Sequence, residues 1–170
     1  SHQQIHQQYA MIPDRIEGFE GGSSAEAADY QPFSSGDMIA EVIAAYRDIY
    51  GSSFFHDYLR AISANTRMDG RSDLGSDLIV WQDEQVMLFV PKAQTSQWEL
   101  QLLTKQDQNG NFAGNIVEAS LQMRRSLDMG LMKAQQALAG RGASMVTTIE
   151  YSKRFSSTLT DQPLIYCLMP

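Results

Sequence analysis

Apolar residues recur every three or four positions in two adjoining segments of the first half of the chain. This spacing predicts one helix over 38–50, with Asp37 as its N-cap, and a second, shorter helix over 54–62. Gly51 and the two serines that follow it interrupt the pattern between the two segments. Upstream of Asp37 the pattern is lost, and residues 1–36 are predicted to form an N-terminal arm or linker.

A third helical pattern lies in the second half of the chain and is much longer. The sequence Asn-x-x-Glu at Asn115 and Glu118 is typical of a capping box and predicts that the helix begins there. The helix is expected to run to about Leu138 and to end at Gly140 and Gly142. Its predicted buried face consists of Met123, Leu127, Leu131, Ala134 and Leu138.

Five short apolar runs downstream of residue 76 have the length and composition of β-strands. The first two flank the turn-forming pair Asp83-Glu84 and predict a hairpin. Together with the helices, the strands predict an α+β domain over 37–170, with an antiparallel sheet of about five strands and helices packed on one face. The predicted strands cover 77–82, 85–90, 98–104, 143–151 and 163–169.

The third predicted strand begins at a tryptophan and alternates in part. Trp98, Leu100 and Leu102 are predicted to face one side of the sheet. Glu99 and Gln101 are then predicted to face the other, wetter side.

Charge and cysteine content narrow the class of protein. The 170 residues carry a net charge of −7, which argues against binding to nucleic acid or to an anionic membrane surface. No apolar run is long enough to span a bilayer, and the N-terminus lacks the pattern of a secretory signal. The single cysteine, Cys167, excludes an internal disulfide and a cysteine-based zinc site. A cytoplasmic protein without a metal or cofactor is expected, and its start at Ser1 rather than Met fits part of a longer protein.

Two residues offer nucleophilic or acid–base chemistry in principle. His56 adjoins Asp57 in a helical segment, so it is a weak candidate for a catalytic base or nucleophile, although a surface histidine is the commoner reading. Cys167 lies in the last strand, where a cysteine is usually a small buried apolar residue. His2 and His6 have the spacing of a helical metal pair but stand in a glutamine-rich terminal segment, so no metal site is expected.

The order of hairpin, third strand, long helix and two final strands over residues 75–170 resembles the histidine-triad-like superfamily, nearest its galactose-1-phosphate uridylyltransferase branch. Val90-Pro91, Trp98 and Glu99 match that branch, and Thr104-Lys105 stands where the branch usually has Pro-Lys. The resemblance implies a nucleotide cleft bordered by the turn after the hairpin. It also implies a homodimer or a partner domain.

The catalytic motif of that superfamily is missing. Its enzymes carry a histidine in a His-x-His motif near the last strand, and this histidine holds the nucleotidyl group covalently. Aligned on the terminal proline, the triad positions fall on Pro163, Ile165 and Cys167. The resemblance therefore implies a catalytically degenerate domain or half of a larger enzyme, and enzymatic activity is left open.

The turn after the hairpin is rich in side chains that can contact a ligand. An indole can stack on a base, and amides can read its polar edges. The basic pair Lys153-Arg154 follows a strand and can hold a phosphate. The alternative readings are a solvated loop, a core tryptophan and a dimer contact. The candidate ligand-binding residues are Lys92, Gln94, Gln97, Trp98, Gln101, Lys153 and Arg154.

Two classes of function remain open from the sequence. The first is a nucleotide- or sugar-phosphate-binding domain related to the uridylyltransferases. The second is a non-catalytic dimerisation or assembly domain with no small-molecule ligand.

Overall fold

The computed structural model describes residues 6–17, 29–67 and 69–170, which fall into two compact units, 1–34 and 35–170. In the first unit, β1 (Ile16–Glu17) pairs antiparallel with β2 (Asp29–Tyr30). The boundary between the units lies two residues before the predicted one. Much of the predicted arm, His2 included, lies outside the described residues, and its role as an arm stays a prediction.

The second unit opens with two helices, as the apolar spacing predicts. They are α1 (Ser35–Tyr50) and α2 (Phe54–Ser63). The predicted N-cap is wrong, because α1 begins at Ser35 and Asp37 lies in its first turn. A tertiary contact fixes this start: a Cβ on Gly36 would lie 1.8 Å from the Ser152 carbonyl oxygen, so only glycine permits the approach.

Five antiparallel strands form the sheet of the second unit, in the order β3-β4-β5-β7-β6. The predicted hairpin and the number of strands are confirmed. In the hairpin turn, the Asp83 carboxylate accepts the backbone N–H groups of Gln85 and Val86. The strands are β3 (Ile79–Gln82), β4 (Val86–Phe89), β5 (Leu100–Thr104), β6 (Thr147–Tyr151) and β7 (Ile165–Met169).

The long helix α3 (Leu121–Gly140) begins later than the capping-box pattern predicts. Its N-cap is Ser120, whose hydroxyl accepts the Met123 N–H. Asn115 and Glu118 make the expected kinds of bonds, but around a separate turn. The Asn115 side chain accepts the N–H groups of residues 117 and 118, and the Glu118 carboxylate accepts the Gly114 N–H. The predicted end is confirmed at Gly140.

Helices cover both faces of the sheet, which corrects the prediction that they pack on one face. In β4 every residue is buried, so each face of the strand needs its own cover. Val86 and Leu88 pack with α3, whereas Met87 and Phe89 pack with α1 and α2. Within residues 6–17, 29–67 and 69–170, no helix is long and apolar enough to cross a membrane.

Candidate functional site

A groove of about 410 Å³ lies beside the C-terminal end of α3. Its size falls within the range of small-molecule sites, and most of its lining is apolar. The walls come from β3, from the loop between β4 and β5, from the start of β5 and from the last turn of α3. The lining residues are Val80, Val90, Gln94, Gln97, Trp98, Leu100, Ala137, Leu138 and Arg141.

Trp98 has the most unusual backbone of the groove. Its φ is +64°, and no other non-glycine residue described by the structure has a positive φ. This conformation is disfavoured for a bulky side chain and breaks the predicted strand, which begins only at Leu100. The indole is 38% exposed, and the guanidinium carbon of Arg141 lies over it, 5.5 Å from the ring centroid. Such a contact is a cation–π interaction.

Glu99 is buried rather than turned toward water, contrary to the predicted alternation. Only 2% of the residue is exposed. One carboxylate oxygen accepts the backbone N–H and the hydroxyl of Thr95, at 2.6 and 2.8 Å. The other accepts the Cys167 thiol at 3.0 Å and the Gln101 amide at 3.3 Å. Glu99 therefore ties the 95–98 loop to β5 and β7.

Burial and hydrogen bonding together set the protonation states of Glu99 and Cys167. Burial alone would raise the pKa of Glu99, but the bonds from Cys167, Thr95 and Gln101 together hold it below its usual value. Burial, reinforced by the bond to the Glu99 carboxylate, raises the pKa of the Cys167 thiol to about 12. A protonated thiol is a poor nucleophile, so Cys167 serves as a buried hydrogen-bond donor.

Three of the predicted ligand residues, Gln94, Gln97 and Trp98, line the groove together. Lys92 belongs to the same loop but lies outside the lining. Its ammonium donates to the Asn65 side chain, and its backbone N–H donates to the Tyr58 hydroxyl.

The basic pair after β6 lies elsewhere and is engaged in structural contacts. Lys153 is 5% exposed, and its ammonium lies 2.7 Å from both the Glu118 carboxylate and the Leu159 carbonyl oxygen. Arg154 donates through two nitrogens to the Asp37 carboxylate, at 2.7 and 2.6 Å. Such ion-paired groups hold the chain around them and are not open cations.

His56 is a solvent-exposed residue of α2 and does not line the groove. Its Nδ1 lies 3.6 Å from Asp57, beyond hydrogen-bonding distance. Asp57 is already engaged: bonds from Ser52, Tyr46 and Arg60 lower the pKa of its carboxyl, Ser52 most of all. Among the described residues, no group of three or more His, Cys, Asp or Glu side chains is placed to hold a metal ion.

Arg141 is the charged groove residue that sequence reasoning missed. It follows the last residue of α3, as the C-cap. Basic side chains are favoured at the C-terminal end of a helix. An arginine at this position therefore indicates a helix end and does not by itself indicate a ligand site.

Comparison with known proteins gives a fold and no sequence relative. No protein-family model and no curated protein sequence matches the chain. A solved structure titled as that of a uridylyltransferase mutant is similar over 82% of this chain and 42% of its own, with a TM-score of 0.56 and 10% identity. The chain thus spans less than half the length of that protein. This likeness confirms the predicted fold, and it shows the fold alone.

A second solved structure is a Hit-like protein from Bartonella henselae, described as involved in cell-cycle regulation and solved with an unknown ligand. It covers 55% of this chain and 65% of its own, with a TM-score of 0.38 and 14% identity.

The three positions predicted to correspond to the histidine triad are all buried. Pro163, Ile165 and Cys167 are buried. Ile165 packs among the apolar side chains beneath α1 and α2, whereas the groove lies on the α3 side of the sheet. Ile165, one of these positions, therefore lies on the face opposite the groove.

Proposed function

We propose that this domain binds a nucleotide or a nucleotide-related ligand in the groove and does not transfer nucleotidyl groups through position 167. The observation that carries the proposal is the exposed Trp98 indole on the groove wall, with Arg141 over its ring. Aromatic rings stack on heteroaromatic bases, and the amides of Gln94 and Gln97 can pair with polar base edges. The likeness of the fold to a uridylyltransferase supports the same ligand class.

The side chains present support the proposed lack of transfer chemistry. The only histidines are His2, His6 and His56. His56 is exposed on α2 and lies outside the groove lining. The Cys167 thiol is buried and protonated at neutral pH. Since the chain spans 42% of the uridylyltransferase, we propose a degenerate domain or one half of a larger enzyme.

The test is a binding titration with a panel of uridine and adenine nucleotides, UDP-glucose and galactose-1-phosphate. Binding should appear as heat by calorimetry and as an upward shift in the unfolding temperature. A ligand at 100 times its Kd stabilises the folded state by about 2.7 kcal/mol. Trp98→Ala should weaken binding by about 5- to 150-fold, since base stacking contributes about 1–3 kcal/mol.

Phe155→Ala is the matched control, because Phe155 is an exposed aromatic residue outside the groove lining. It should leave the affinity unchanged. If no member of the panel binds at millimolar concentration, the proposal is wrong. Equal losses of affinity in both variants would also reject the groove as the site.

A second candidate, an assembly domain, is favoured by one edge of the sheet. β6 pairs with β7 on one side and is the edge strand of the five, with Thr147, Thr148 and Ile149 exposed. Unpaired strand edges can pair with a second copy across a two-fold axis. Light scattering should then show a dimer at micromolar concentration, and Ile149→Lys should convert it to a monomer. A wild-type monomer would dismiss this candidate.

A further inference from the structure

We infer that the groove selects a planar heteroaromatic ring rather than a phosphate, and that the ring enters between the Trp98 indole and the Arg141 guanidinium. This inference rests on the proposed function and makes it more specific. It assigns the recognition to the base of a nucleotide, on the α3 face of the sheet.

The lining contains too few cationic donors for a phosphate site. Phosphates are usually held by several cations or by a cluster of backbone N–H groups. Of the nine described residues that line the groove, Arg141 is the only charged one. Five of the others are aliphatic, and these suit the faces and edges of an uncharged ring.

The other basic residues predicted to hold a phosphate are engaged away from the groove. Lys92 donates its ammonium to Asn65, Lys153 is buried against Glu118, and Arg154 is paired with Asp37. Recruiting either Lys153 or Arg154 would leave its carboxylate partner without its cation. Loss of such a partner is costly where the remaining charge is shielded from water.

The distance from the Arg141 guanidinium carbon to the Trp98 ring centroid determines which side chain must move for a ligand ring to enter. Carbon atoms in stacked groups lie about 3.5 Å apart, so a ring between two planes needs about 7 Å. The present distance is 5.5 Å, which means that the guanidinium must move outward for a ring to enter. Arg141 is exposed and makes no ion pair with any described residue, so a rotation of its side chain is enough.

The tryptophan, in contrast, is held in place before a ligand arrives. A positive φ at a tryptophan persists only where its surroundings impose it. The Glu99 carboxylate provides this constraint through Thr95 on one side and Cys167 on the other. A fixed Trp98 ring opposite a movable Arg141 guanidinium suits a flat ligand. Because the indole is already ordered, binding costs little of its conformational entropy.

The deciding experiment compares ligands that share a base and differ in phosphate. Uridine, UMP, UDP, adenosine, galactose-1-phosphate and inorganic phosphate would be titrated by calorimetry into the full chain. We expect Kd values for uridine, UMP and UDP within threefold of one another, and no binding of galactose-1-phosphate or inorganic phosphate. A Trp81→Phe variant leaves Trp98 as the only indole, and its fluorescence should be quenched by uridine. If that variant does not fold, the calorimetric series decides alone.

Arg141→Ala should weaken uridine, UMP and UDP by a similar factor of about five, because it removes a stacking partner and not a phosphate contact. Arg125→Ala is the control on the same helix, since Arg125 is exposed and outside the lining. An affinity that rises tenfold or more with each added phosphate would overturn the inference and leave the proposed function standing. Binding that leaves the Trp98 fluorescence unchanged would overturn it as well. If nothing in the series binds, both are wrong.

Discussion

Both faces of the sheet are built from apolar residues of the same strands, but the surfaces around them differ. On the face beneath α1 and α2, Phe89, Leu103 and Ile165 are buried in one apolar cluster, and Ile165 is one of the predicted triad positions. On the other face, α3 covers Leu88 and Leu102 but ends at Gly140, and the groove lies along its last turn.

As a result, the polar residues of the candidate binding site lie on a loop and at a helix end rather than on strands. The predicted triad positions hold a proline, an isoleucine and a cysteine, and all three are buried. The groove takes its polar groups from the 94–98 loop and from Arg141. Loops positioned by a rigid scaffold commonly carry binding residues. Four substitutions test whether the face beneath α1 and α2 is a closed structural core while the face beneath α3 carries an open groove. They are given in order of decreasing expected effect.

Gly36→Ala should cause the largest loss, because it pushes α1 off the closed face. The new methyl group would lie 1.8 Å from the backbone oxygen of Ser152, which cannot rotate away. We expect at least about 3 kcal/mol of destabilisation, or a fall of roughly 6–12 °C in Tm by calorimetry. Gly140→Ala is the control, since a Cβ there meets no atom within 4 Å. Equal Tm values for the two variants would mean that α1 does not seal this face.

Glu99→Gln tests the link between the faces and should cost about 2 kcal/mol. The amide cannot accept the bonds from Thr95 and Cys167 simultaneously, and bonds to a charged acceptor contribute about 1.5–3 kcal/mol. Chemical denaturation at pH 7 would measure the loss. Glu41→Gln, at an exposed position of α1, should change stability by less than about 0.5 kcal/mol.

The pH dependence of this difference has a defined sign. Because the pKa of folded Glu99 lies below its ordinary value of 4.5, protonation favours the unfolded chain. The stability advantage of wild type over Glu99→Gln should be complete above pH 4.5 and should shrink as the pH falls through the folded value. An advantage that grows on acidification would show that the carboxylate is not stabilised by these bonds.

The Cys167 thiol should be unreactive toward alkylating agents in the folded protein. The substitution Cys167→Ala should destabilise the fold by about 1 kcal/mol. With a pKa of about 12, on the order of 10⁻⁴ of the thiol is ionised at pH 8, and the sulfur is buried. Iodoacetamide should label it only after denaturation, as followed by mass spectrometry. Rapid labelling of the native protein would show that the closed face opens.

Arg141→Ala should have the smallest effect on stability, below about 0.5 kcal/mol. The Arg141 side chain is exposed to solvent and contacts the Trp98 ring. Urea denaturation of this variant beside Arg125→Ala would measure it. A loss above 1 kcal/mol would make the Trp98–Arg141 contact part of the fold and not a movable cover.

Much of the fold was predictable because local patterns and packing agree. The hairpin around Asp83, the two short helices and the apolar face of α3 all follow from spacing. The number and direction of the strands followed from the same patterns. The ends of elements were predicted less well. Gly36 is placed by its contact with the distant Ser152, whereas the Ser120 cap is a local bond that the capping-box pattern at Asn115 concealed.

The candidate site was predictable only in part. Gln94, Gln97 and Trp98 stand out as a polar turn with an indole, and they do share the groove. Lys153 gave no sign of being buried, because its partner Glu118 is 35 positions away in the chain. The conformation of Trp98 also depends on distant groups, among them Cys167.

The position of β7 in the interior of the sheet sets the order in which the sheet can assemble. During synthesis β3, β4 and β5 can pair as a meander while β6 emerges without its neighbour. Only when 165–169 has been made can one strand pair with both β5 and β6, and it does so over long separations, as between Leu100 and Leu168. Closure over long separations is slow, so the nascent sheet exposes the unpaired edges of β5 and β6 until its last strand inserts. A chain cut before Ile165 would keep both edges open and should aggregate.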